Sequence, residues 1–201
     1  MSEILILYYS PGGTIAEMAN VIARGVDSID GMTPRVRTVP DVSPNLEQSN
    51  QEFKNQIPEQ GPPYATNDDL VECSAVIMGC PTHFGNMPAA MKHFIDTTSP
   101  LWLSGKLAGK PAAVFSASTS MHGGQESTLL TMILPWLHHG MLIVGLPYTE
   151  PELFTTESGG TPYGATRVTD DNKKTKLTND EHKLALALGK RVAQTTVKLE
   201  N

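Results

Sequence analysis

The sequence predicts an α/β fold, a parallel sheet with helices on both faces, and three observations carry that expectation. Short apolar runs recur along the chain, and each stops at small or polar residues. The runs are apolar at consecutive rather than alternate positions, as strands buried on both faces require. Between them lie longer stretches with apolar residues at helical spacing, the alternation expected of βαβ units with right-handed crossovers.

The elements follow in order. Residues 4–9, ILILYY, form the first strand and stop at Ser10-Pro11-Gly12-Gly13. Residues 14–26 are helical, with Ile15, Met18, Ala19, Ile22, Ala23 and Val26 on one face. A short alternating strand covers 34–39, and a second apolar run covers 75–80, ending at Pro81. Residues 88–97 carry Met91, Phe94 and Ile95 on one helical face. The third run, 112–117, ends in Ser118-Thr119-Ser120. Residues 126–139 are helical, with Leu129, Leu130, Ile133, Leu134 and Leu137 as the apolar face and Pro135 as a kink or break. The fourth run is 141–145, and a terminal helix over 179–199 carries Leu184, Leu188, Val192 and Val197. Two stretches interrupt the alternation, a polar, Pro-rich one at 41–67 and a long one at 146–178. Loops of that length in a compact domain are functional, interfacial or disordered.

The 201 residues suit a single domain, 1–201, with a core that needs no cross-links. The formal charge of −6 gives no general attraction to nucleic acid or an anionic membrane. No apolar run is long enough to span a bilayer, and the first residues lack a basic leader, so a cytoplasmic protein is expected. Cys73 and Cys80 have no metal or redox spacing and read as small buried hydrophobes; no metal is expected.

In an open parallel sheet, ligands bind beyond the carboxyl ends of the strands. Three turns there carry chemistry. Ser10, Pro11, Gly12, Gly13, Thr14 and Ile15 join a strand to a helix; glycines let successive N–H groups face one anion, aided by the helix's positive end. An ordinary capped turn explains this segment equally well. No Lys follows it, and the spacing is not G-x-G-x-x-G, so Asp41 is discounted as a ribose ligand. The second turn, from Cys80 to Pro88 with Thr82, His83, Phe84, Gly85 and Asn86 at its centre, mixes polar edges with an aromatic, as a flat heteroaromatic ligand needs. A helix start capped by Asn86, with Pro88 in the first turn, accounts for part of it. The third, from Ala117 to Glu126, is small, polar, glycine-rich and followed by a helix, and Ala117, Ser118, Thr119, Ser120, Met121, His122 and Gly123 are its candidate contacts.

The segments LYYSPGGTIAEMA, GCPTHFGNMPAAMKHFID, LWLSGKLAGKPAAVF, HGGQE, LHHGMLIVG and GGTPYGAT together resemble the WrbA family of flavodoxin-like NAD(P)H:quinone oxidoreductases, over nearly the whole chain. The resemblance implies a flavodoxin-like doubly wound sheet of five strands in the order 2-1-3-4-5. It implies FMN as cofactor, NADH or NADPH as co-substrate, and hydride transfer through FMN to a quinone. It implies a homotetramer in equilibrium with dimers. By the same resemblance the phosphate would lie in the turn from Ser10 to Ile15. The ring would lie against Thr82, His83 and Phe84 and against the residues from Ala117 to His122. His138 would sit beside the ring as the catalytic residue that supports the negative charge of the reduced flavin, a helix-end histidine being the competing explanation. Trp102 would wall the substrate side, with a neighbouring subunit as one source. Two positions depart from the pattern: His83 stands where the family often has Arg, and Gly12 where some members carry an aromatic on the substrate side. A flavodoxin-type electron carrier and a non-enzymatic FMN-binding regulatory module are the alternatives.

Overall fold

A computed structural model describes residues 1–42, 58, 60–169 and 176–200. The elements are β1 (Ser2–Tyr8), α1 (Thr14–Asp27), β2 (Met32–Thr38), α2 (Asn67–Glu72), β3 (Ala75–Pro81), α3 (Ala89–Thr97) and α4 (Ser99–Leu103). They continue with β4 (Pro111–Ser118), α5 (Gln125–His138), β5 (Leu142–Ile143), α6 (Glu152–Thr155), β6 (Ala165–Val168) and α7 (Asn179–Glu200). The strands are parallel in the order β2-β1-β3-β4-β5, the flavodoxin-like arrangement, with β6 also paired to β4.

Successive residues of a strand point to opposite faces, so each consecutive apolar run feeds two cores. Ile4, Ile6 and Tyr8 pack with Ile77, Phe115, α1 and α7; Leu5 and Leu7 pack with Met78, Val114, Met91 and Trp136 on the other face. Cys73 and Cys80 are unpaired and buried as small hydrophobes, and burial pushes the Cys73 thiol up to about 11.

Three expectations are corrected. The fourth run forms only a two-residue strand, β5, opposite Pro111 and Ala112, whereas β6 pairs further along the same edge, opposite Phe115 to Ser118. The fifth sheet position is therefore filled by two pieces, and the chain rejoins the sheet inside the stretch expected to be an insertion. Residues 170–175, like 43–57 and 59 of the other long stretch, lie outside the described residues.

Helix α5 continues through Pro135, and its buried face is Gln125, Thr128, Leu129, Met132 and Trp136. Leu130, Leu134 and Leu137, expected to be core, are 45%, 54% and 53% exposed. Apolar residues occur on both sides of this helix, so spacing alone could not choose the side that meets the sheet. At α3, Pro88 is the N-cap rather than part of the first turn, and the Asn86 carboxamide accepts from the Met87 N–H at 2.8 Å instead of capping the helix.

Candidate functional site

The carboxyl ends of β1, β3, β4 and β6 converge on a cavity of about 280 Å³. Its walls are Ser10, Pro11, Gly12, Thr14 and Ile15 from the first turn, Pro81, Thr82 and His83 from the second, and Ala117, Ser118, Thr119 and Thr169.

The first wall is built by one backbone inversion. Gly13 is the N-cap of α1 at φ 81°, ψ −15°, the left-handed region that glycine enters freely. The turn closes by the Gly13 N–H on the Ser10 carbonyl at 3.3 Å, and the Glu17 N–H returns to Gly13 at 3.1 Å. Gly12 has no positive φ, so one of the two glycines supplies the special conformation. The Ser10 hydroxyl oxygen accepts from the Ala16 N–H at 3.0 Å, which leaves its hydrogen available to a ligand. The N–H groups of Gly12, Thr14 and Ile15 take no partner among the described residues. Several such donors at a helix start form an anion cradle. This is the observation against which a flavin phosphate is tested, and the residues fit it. Asp41 is engaged elsewhere: it accepts from the Tyr9 hydroxyl at 2.6 Å, and burial together with this bond pushes the Tyr9 phenol up to about 12.

The second turn is tight. His83 and Asn86 exchange N–H···O bonds of 2.8 and 3.1 Å around Phe84 (φ 53°) and Gly85 (φ 72°), a type I′ geometry. Glycine suits that conformation and phenylalanine does not, so Phe84 is held in a strained form while its ring is fully exposed. Thr82 is fixed by its N–H on the Ala117 carbonyl at 2.9 Å and by the Thr128 hydroxyl at 2.7 Å.

Ala117 and Ser118 belong to β4, so the third turn begins at Thr119. Gln125 holds it by donating to the Ser120 and Met121 carbonyls at 3.0 and 2.9 Å, and Ser118 donates to Ser120 at 2.6 Å. Gly13, Phe84, Gly85, Asn86, Ser120, Met121, His122 and Gly123 thus shape the turns without lining the cavity.

His138 and Trp102 are not brought to this cavity. His138 is exposed in the last turn of α5, and fourteen residues at 1.5 Å each put about 20 Å between the ends of that helix. Helix α5 starts beside the cavity and runs away from it. Trp102, half exposed, lies toward the same far end, which is tied to α4 by His139 and Thr98 at 2.9 Å. A closing pair of bonds stops α5 there, the Met141 N–H on Trp136 and the Gly140 N–H on Leu137, so the helix-end explanation accounts for the position of His138.

Sequence reading missed Thr169 and Thr128, and it placed Pro81 and Gln125 in its turns without assigning them to the site. Thr169 reaches the cavity only because the chain rejoins the sheet at β6, for which the short ATRV run was the available signal. A wider groove of about 530 Å³ beside β2 is chemically satisfied: Arg35 pairs with Glu3, Asp69 and Glu72, and Arg37 with Asp69. Among the described residues no His, Cys, Asp or Glu cluster could hold a metal, and no helix is long and apolar enough to cross a membrane.

Comparison with known proteins decides the family. Residues 2–149 match the model of the NADPH-dependent FMN reductases. The chain belongs to that family. It is 41% identical over 202 residues to a protein of Trichlorobacter lovleyi named NAD(P)H dehydrogenase (quinone), with 99% of each chain covered. A protein of the same name from Rhizobium rhizogenes is 41% identical over 201 residues, again with 99% of each covered. Among solved structures, a WrbA-like flavodoxin of Agrobacterium tumefaciens superposes with a TM-score of 0.68 at 23% identity, over 98% of this chain and 99% of that one. At that identity the likeness speaks for the fold.

Proposed function

We propose that this protein is an FMN-dependent NAD(P)H dehydrogenase that reduces quinones. The reading draws on relatives of that name matched along their whole length. The observation that carries it is the set of unpartnered N–H groups of Gly12, Thr14 and Ile15 at the mouth of α1, next to the hydroxyls of Ser10 and Thr14. These groups would bind the phosphate of FMN with no basic side chain among the described residues of the wall.

Bound FMN supplies the two-electron carrier between NAD(P)H and quinone. NAD(P)H gives up two electrons and a proton, and the quinone takes two electrons and two protons, the second drawn from water. The chain's part is to hold the flavin and stack each partner against it in turn. Thr82, locked by Thr128, and Thr119 would offer hydroxyls to the flavin ring, and Pro81 and Ala117 would offer it apolar surface. His83 lines the same cavity and would face a bound nucleotide.

Trp102 and His138 serve a neighbouring copy's pocket in this reading. Both lie toward the far end of α5, and near them Leu103, Leu134 and Leu137 are more than half exposed. Apolar surface on that scale calls for a partner surface, and a dimer or homotetramer would provide it. The unpaired buried cysteines suit the reducing cytoplasm.

The test is direct. Purified protein reconstituted with FMN should consume NADH or NADPH in proportion to added benzoquinone. A protein that binds FMN but consumes almost no NAD(P)H with benzoquinone would leave an electron carrier or a regulatory module, and one that stays colourless with FMN would remove the flavin reading.

A further inference from the structure

Among the described residues the cavity wall contains neither Lys nor Arg, yet a buried cation lies behind it. Arg167 of β6 is 2% exposed. In the β4–β6 register it stands opposite Ala117, and its neighbour Val168 opposite Ser118, both strand partners being cavity residues. Two residues further on, Thr169 is itself in the wall, held by its N–H on the Ser118 carbonyl at 2.8 Å. The Arg167 side chain shares the sheet face of Ala165 and reaches α1, where Nη1 donates to Glu17 Oε2 at 2.6 Å. Glu17 belongs to the first turn of α1, whose start supplies the unpartnered N–H groups. The guanidinium therefore spans from the β4 side of the cavity to the helix that cradles the anion.

Among the described residues its charge is incompletely answered. Nε is buried and has no partner among the described residues. The Glu17 carboxylate is 44% exposed, against 3% for the Arg167 side chain, so water screens the anion far more than the cation. A buried cation favours a second, less screened negative charge, and the cradle at Gly12, Thr14 and Ile15 opens the same helix turn that holds Glu17.

We propose that Arg167 is a specificity-determining residue that makes this pocket favour a 5′-phosphorylated flavin over riboflavin. It acts through its field from behind the wall, with Glu17 as its exposed counter-ion. The inference rests on the reading that the three-turn cavity holds FMN.

The experiment measures dissociation constants of the full-length apoprotein for FMN and for riboflavin by quenching of flavin fluorescence, at low and high salt. Arg167→Met should weaken FMN by about tenfold or more at low salt, a field effect of the size expected for a partly buried charge. It should leave riboflavin within about twofold, since riboflavin has no phosphate. Arg167→Lys should recover most of the loss. Glu17→Gln should bind FMN at least as tightly as wild type, because it removes the competing anion. If FMN and riboflavin weaken together, or neither changes, Arg167 is a strap that only holds the wall and the proposal is overturned. Glu17→Gln weakening FMN overturns it as well, and this variant and Arg167→Lys decide the matter should Arg167→Met fail to fold. A wild-type protein that binds neither flavin fails differently, because it removes the FMN reading of the cavity first.

Discussion

Replacing Gly13 tests how much of the anion cradle depends on one backbone torsion. A β-carbon built at Gly13 meets nothing within 4 Å, so a larger side chain fits without collision. The cost is purely conformational. Gly13 sits at φ 81°, and an L-residue in that region costs roughly 1–2 kcal/mol, toward the upper end for a β-branched one. In Gly13→Val the ligand-free turn relaxes to negative φ, the N–H groups of Thr14 and Ile15 lose their common aim, and binding has to restore it. At about 1.4 kcal/mol per tenfold, FMN affinity should fall roughly five- to thirtyfold. Gly12→Ala is the matched control. Gly12 has no positive φ and open space at its β-carbon, so FMN affinity should stay within about twofold. Fluorescence titration of both apoproteins with FMN, beside thermal melts without it, separates a binding cost from a folding cost. Wild-type affinity and wild-type melting in Gly13→Val would refute the reasoning, as would a larger loss in Gly12→Ala.

Other perturbations reach the elements that hold the site. Buried Glu181 accepts from the Ser158 hydroxyl at 2.6 Å and from the N–H groups of Gly159, Val168 and Thr178 at 3.1, 2.9 and 2.9 Å, tying the insertion, β6 and the start of α7 together. Glu181→Ala leaves those donors unpaired and should cost about 3 kcal/mol in urea denaturation; a loss under about 1 kcal/mol would contradict this role. Phe84→Gly should stabilise the fold by up to about 1 kcal/mol, the relief of a left-handed phenylalanine less the chain entropy of glycine. Because the Phe84 ring is fully exposed, no packing is lost, and a destabilised variant would show the ring to be in contact after all. His139 is buried, and desolvation with the neighbouring charge of His138 holds it below its ordinary value near 6.5. Its folded form thus binds a proton less readily than its unfolded form. Stability from this residue is present above about 6.5 and is lost as pH falls through the lowered folded value. His139→Gln should flatten the acid side of a urea-midpoint profile, and an unchanged slope would assign the acid sensitivity elsewhere.

The neutral state of His139 also has a tautomer. The Thr98 hydroxyl donates to the Ile95 carbonyl at 2.7 Å, so the contact at 2.9 Å has His139 Nε2–H donating to Thr98 Oγ1. Its Nδ1 is then the acceptor, buried without a partner among the described residues. This bond ties the end of α5 to the start of α4, and so sets where the exposed Trp102 and His138 stand in the molecule. A helix-end pair of histidines therefore divides its roles by burial: His139 is structural, whereas His138 faces outward.

The sequence by itself determined the sheet and the ends of its strands. Parallel strands covered on both faces need apolar residues at successive positions, and ILILYY, the run from Ala75 to Cys80 and the run from Ala112 to Ala117 have no other way to be buried. Parallel strands also deliver their carboxyl ends to one edge, so the three polar turns had to meet wherever the strands lay. Tertiary structure alone decided the rest. Helix α5 is apolar on two sides, and which side is core depends on how it docks, leaving Leu130, Leu134 and Leu137 outside. The fifth sheet position is shared by β5 and β6, because residues distant in sequence can pair along the same edge of β4. That return of the chain sets Thr169 in the wall and Arg167 behind it, while the length of one helix carries His138 away from the cavity.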